Sequence, residues 1–176
     1  MKFLKISFYT LFFAAMLLLF LPKENLYYYA KERLVERYGL FLDEKQVDEK
    51  LYTLSLKQGR VSYEGIEIAT YAEAKAALYL FTNTIRVEDI VLSSLVKNYL
   101  PLHIEYIVCS YTLLEPLHIS LDAKGGFGSA KGSFSLEERK LSVEIEASKE
   151  LIQKYKRVLR YLKKTGKGVY RYEKTL

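Results

Sequence analysis

From about Leu51 to Ala147 apolar and polar residues alternate with a period of two, and no other feature constrains the fold as tightly. The pattern is plainest where Leu141, Val143, Ile145 and Ala147 interleave with Ser142, Glu144, Glu146 and Ser148. Successive strand residues point to opposite faces, so this run describes a sheet with one oily and one wet face. The stretch LYTLSLKQGRVSYEGIEIA reads as two or three strands, with KQGR as a turn and Gly65 as a second break. KAALYLFTNTIRVEDIVLSS continues the pattern, with a turn at Thr82–Thr84. No helix-length stretch separates the strands, which argues for an antiparallel meander and against a parallel α/β arrangement. The 16 Tyr and 9 Phe among 176 residues suit such a sheet.

Helical patterns flank it. Lys2 and Lys5 precede an uncharged run, Ile6 to Pro22. As a helix, those residues would reach roughly 25 Å at about 1.5 Å each, which predicts a transmembrane anchor over 1–24. No small-x-small site follows the run, so the anchor is expected to stay uncleaved. The short basic start places the body of the chain on the translocated side. Residues 25–39 read as a juxtamembrane amphipathic helix, capped by Asn25 and closed by Gly39, with Leu26, Ala30, Leu34 and Tyr38 on one side. Tyr27, Tyr28 and Tyr29 fall where amphipathic rings favour the headgroup layer. Ser148 opens a further pattern, in which Leu151, Ile152, Tyr155, Val158, Leu159 and Leu162 predict a helix over 149–164.

Charge is concentrated in that last segment. Residues 149–176 hold ten Lys/Arg and two Glu, whereas the remaining 17 basic and 19 acidic residues nearly cancel. Lys154, Lys156, Arg157, Arg160, Lys163 and Lys164 are therefore the candidate contacts to an anionic surface. No nucleic-acid recognition motif accompanies them, and no nucleic-acid partner is expected.

The tetrapeptide PLHI occurs at 101–104 and again at 116–119, taking in both histidines beside the lone Cys109. A solenoid needs three or more coils, and RVED and KGSF stand where further copies would fall. Two strands meeting near Leu113–Pro116, with Thr112 opposite Leu117, would instead hold His103 and His118 roughly 26 Å apart at about 3.3 Å per residue. A shared metal is excluded on that geometry. Alternation sets Leu102, Ile104, Tyr106 and Val108 on one face of this region, and His103, Glu105 and Cys109 on the other. His103-Ile-Glu105 lacks the two-cysteine partner of a zinc deaminase. In GGFGSAKGS, Lys131 precedes the last glycine, contrary to a phosphate loop. A bend in the sheet suits these glycines better. No carboxylate pair stands at a spacing for acid–base work, so the sequence points to a non-enzymatic protein with no cofactor and no metal.

A sheet with one apolar face and no second sheet must cover that face with helices, lipid or a partner. Tyr106, Val108, Ile119, Leu121, Val143 and Ile145 are the expected lining of an apolar groove.

Taken with the anchor and the meander, three stretches carry a resemblance: LPKENLYYYAKERLVERYGL, the G-x-x-x-G-x-F-x-L hairpin from Gly128 to Leu136, and the helix from Ser148 followed by GKGVYRY. Over about residues 3–172 the chain resembles type II secretion system protein N (GspN-like) and, more distantly, AsmA-like periplasmic proteins. The resemblance implies a single-pass inner-membrane protein with its C-terminal domain in the periplasm. It implies an accessory or scaffold role in type II secretion-like envelope assembly, with secretion proteins as partners. The AsmA-like alternative implies a groove that binds or transports lipid. The expected fold is mainly β: a transmembrane helix, then a curved antiparallel sheet over 40–176, capped by a short N-terminal and a C-terminal amphipathic helix.

Overall fold

A computed structural model describes residues 2–96, 101 and 103–175. Leu102, assigned above to one strand face, lies outside them. Two helices, α1 (Lys2–Leu19) and α2 (Lys23–Tyr38), lead into β1 (Leu40–Glu49), β2 (Thr53–Tyr63), β3 (Ile66–Leu78), β4 (Thr82–Leu92), β5 (His103–Thr112), β6 (His118–Gly125), β7 (Gly128–Ser135) and β8 (Lys140–Ala147). Then follow α3 (Lys149–Lys154), α4 (Lys156–Leu159), β9 (Lys163–Lys164) and β10 (Val169–Thr175). The strands form one antiparallel sheet in the order β1-β2-β3-β4-β5-β6-β7-β8-β10-β9. The mainly-β meander expected from the alternation is therefore present, with ten strands among the described residues.

The transmembrane anchor is not. Among the described residues no helix is long and apolar enough to cross a membrane. Helix α1 stops at Leu19 rather than running to Pro22, and its first turn carries Lys2 and Lys5. The uncharged helical part, 6–19, spans only about 21 Å at 1.5 Å per residue, against a hydrocarbon core of about 30 Å. The reading of the chain as a single-pass inner-membrane protein falls with it.

Other boundaries shift for local reasons. Helix α2 begins at Lys23, not after Asn25, because the Glu49 carboxylate accepts hydrogen bonds from the Lys23 and Glu24 backbone N–H groups at 3.1 and 3.3 Å. An anion there satisfies orphan helix donors and complements the helix dipole. Lys23 Nζ lies 3.7 Å from the same carboxylate with its side chain only 3% exposed. Gly39, at φ 64°, closes α2 in the left-handed conformation a glycine adopts at least cost. The expected helix over 149–164 breaks at Tyr155 into two short helices, and Lys163 and Lys164 become a strand. KQGR is not a turn but the middle of β2, and the turn placed at Thr82–Thr84 occurs at residues 79–81.

Directly paired residues share a face. One row therefore crosses nearly the whole sheet: Glu49, Leu54, Ala76, Ile85, Cys109, Leu121, Gly132, Val143 and Tyr172. The densest core lies under β1–β4, where Leu54, Leu56, Tyr71 and Ile90 are buried and Tyr27 of α2 packs onto them. Core-facing residues recur at every second position, with one step of three in each of five successive strands. The steps run from Glu44 to Val47, Leu56 to Gly59, Tyr71 to Ala74, Val87 to Ile90 and Ile104 to Ile107. An extra residue in one strand alone would turn the rest of that strand to the wet face. Here five strands take the extra residue at the same level, so the apolar face continues across the fault. Gln58 and Asp89 sit on it with φ of 51° and 50°.

Buried Glu44 fastens α2 across β1. Its carboxylate accepts from the Tyr27 hydroxyl at 2.6 Å and from Lys31 Nζ at 2.9 and 3.0 Å, and its side chain is 5% exposed. The polar atoms are paired, as a carboxylate in such a site requires.

Candidate apolar trough

Beyond β4 the helical cover is sparser, although Leu151 of α3 and Leu159 of α4 are buried. Helix α2 packs on β1 and β2, and α3 on β8. Between these flanks two parallel rows run side by side. One carries Ile107, Ala123, Ala130, Ile145 and Tyr170, and the other Cys109, Leu121, Gly132, Val143 and Tyr172. On β6 and β7 the rows hold the small residues Ala123, Ala130 and Gly132 beside Leu121, and Ala123 and Ala130 are buried. At about 4.8 Å per strand, the trough from β5 to β10 is roughly 19 Å wide. Ile107, Cys109, Leu121, Val143 and Ile145 are all half-buried. No large side chain among the described residues is wholly removed from solvent. Burial raises the pKa of the Cys109 thiol, which favours its neutral form.

Four of the six expected groove residues, Ile119, Leu121, Val143 and Ile145, line this face. Tyr106 and Val108 do not. Tyr106 pairs with Glu88 and Lys124, and Val108 with Arg86 and Asp122, on the wet side. The Arg86 guanidinium lies 4.7 Å from the Tyr106 ring centroid. The step of three at Ile104–Ile107 reverses the parity of β5, so Ile107 and Cys109 take the two places assigned to Tyr106 and Val108. The signal was present as I-x-x-I, repeated in spirit by V-x-x-I in β4 and Y-x-x-A in β3.

The six expected anionic-surface contacts, Lys154, Lys156, Arg157, Arg160, Lys163 and Lys164, are all exposed. They are distributed over α3, α4, the residue closing α4 (Arg160) and β9 rather than along one helix face, and Lys154 is paired with Glu150 at 2.9 Å. His103 and His118 start neighbouring antiparallel strands and so stand at opposite ends of the sheet. His118 falls opposite Thr112, one residue from the expected register, because Tyr111 pairs with Ile119. Among the described residues no group of three or more His, Cys, Asp or Glu side chains converges as for a metal ion.

Comparison with protein-family models, curated proteins and solved structures finds no match.

Proposed function

We propose that this chain is a non-enzymatic binding protein whose open sheet face takes up lipid acyl chains. One observation carries the reading: the paired rows over β5–β8 offer apolar surface with almost no hydrogen-bonding side chains. A peptide laid there would leave its backbone N–H and C=O groups unsatisfied, whereas an acyl chain has none to satisfy. The AsmA-like resemblance points the same way. The full chain, isolated in mild detergent and extracted, is expected to release acyl lipid near one equivalent per chain. Leu121→Glu, which sets a carboxylate in the middle of the apolar rows, is expected to abolish it. A wild-type chain that is empty and takes up no added lysophospholipid overturns the proposal.

A second reading, an accessory scaffold in secretion-like envelope assembly, is favoured by a different feature. Strand β1 ends the sheet order and, among the described residues, presents one edge without a strand partner, a template for adding a partner's strand. An empty trough combined with strand pairing at β1 would support that reading over the first.

A further inference from the structure

Each hairpin turn at one end of the sheet exposes at least one large apolar side chain, where turns are ordinarily polar. The turns β1–β2, β3–β4, β5–β6 and β7–β8 all emerge at this end, because the strands alternate in direction. They carry Leu51-Tyr52, Tyr79-Leu80-Phe81, Leu113-Leu114 with Leu117, and Leu136, with Lys50, Glu115, Glu137, Glu138 and Arg139 among them. Tyr52, Tyr79, Phe81, Leu114, Leu117 and Leu136 are exposed, Leu114 by 86%. The two tight turns at the other end hold Glu64-Gly65 and Gly126-Phe127, and exposed Leu95 stands there in the β4–β5 connection. The row of tips extends over roughly 34 Å at about 4.8 Å per strand. Apolar exposure repeated at every turn along one end of a sheet points to an interaction surface.

A second element reaches the same end. Glu49, at the end of β1, holds the first residues of α2, and α1 leads into them. Phe3, Leu4, Ile6, Phe8, Tyr9, Leu11, Phe12 and Phe13 of α1 are all exposed. Successive residues of a helix lie about 100° apart, so this exposure surrounds the axis. A groove on a protein covers one side of a helix, whereas a lipid layer covers all of it. An apolar stretch of 14 residues is shorter than a bilayer-spanning helix needs and suits a segment held at the membrane surface.

From these two features we infer that the hairpin tips seat in the surface layer of a lipid membrane, beside α1, with the strands rising away from it. The Tyr and Phe rings at the tips suit the headgroup boundary. This contact is separate from the trough and stands whether or not the trough holds an acyl chain.

The chain contains no Trp, so single-Trp variants report depth without background. Phe81→Trp, Leu114→Trp and Leu136→Trp, with Tyr63→Trp at the opposite end, are mixed with vesicles of phosphatidylcholine and a minor fraction of phosphatidylglycerol bearing brominated chains. Quenching of the three tip variants and none at position 63 is expected. The combined Phe81→Ser, Leu114→Ser, Leu136→Ser variant, altered only at exposed sites, should lose about tenfold or more in vesicle affinity while melting as wild type. Leu121→Glu should bind vesicles normally, which separates this contact from acyl uptake. Absence of vesicle binding, flotation with unquenched tips, or equal quenching at position 63 overturns the inference.

Discussion

The Tyr71 ring lies directly across Gly59, its paired neighbour on β2, so that a Cβ at position 59 would stand 2.0 Å from Tyr71 Cζ. The ring covers the place where the core-facing spacing slips by one residue, and it is buried among Leu54, Leu56 and Ile90. Gly59→Ala is expected to destabilise the fold by about 1–3 kcal/mol, as overpacking does. Urea denaturation measures it. A double-mutant cycle with Tyr71→Leu should show the two substitutions strongly non-additive; additivity would mean the ring does not rest on Gly59.

Gln58, one residue earlier, has a left-handed backbone in mid-strand, which costs a non-glycine residue about 1–2 kcal/mol. Gln58→Gly should therefore be neutral or stabilising by up to about 1 kcal/mol, contrary to the usual penalty for glycine inside a strand. Lys57→Gly, in ordinary strand conformation beside it, should destabilise. The denaturation midpoints of the two variants decide the point.

Glu44→Ala removes the acceptor shared by Tyr27 and Lys31. Losing charge-assisted bonds that leave a buried hydroxyl unpaired should cost about 2–3 kcal/mol. The loss should be local to α2, so hydrogen exchange is expected to accelerate in residues 23–38 more than in β6–β8.

Alkaline pH should act on the same cluster. Burial, then the bond to Glu44, raises the pKa of the Tyr27 hydroxyl, and burial with the Glu44 charge pushes Tyr71 up to about 12. An unfolded tyrosine titrates near 10. Between about 10 and about 12 the unfolded chain sheds protons that the folded chain retains, so stability is intact below that window and falls as pH rises through it. Melting temperature against pH should show this decline, and Tyr27→Phe or Tyr71→Phe should make it shallower.

Much of this architecture was legible in the sequence. The β7–β8 hairpin, the closure of α2 at Gly39 and the antiparallel order all follow from alternation and punctuation. Two things did not. Strict alternation carried Ile104 on to Tyr106 and Val108, whereas five strands take one step of three together; pairing, which a single strand's pattern does not contain, sets that level. The apolar start was read by hydropathy alone, but the helix ends at Leu19 and opens on two lysines, leaving too few uncharged turns to cross a bilayer. Glu44 was equally hidden, since a lone carboxylate in an apolar register declares its partners only once α2 folds over β1.

Cys109 stands in the trough row between Ile85 and Leu121, and it is the chain's single cysteine. Its alkylation by N-ethylmaleimide, followed with and without lysophosphatidylglycerol below its micelle concentration, probes trough occupancy most directly. Acyl occupancy should slow the reaction several-fold in the wild type and leave Leu121→Glu unaffected. An alkylation rate independent of lipid in the folded wild-type chain would contradict the assignment of this face as an acyl-binding surface.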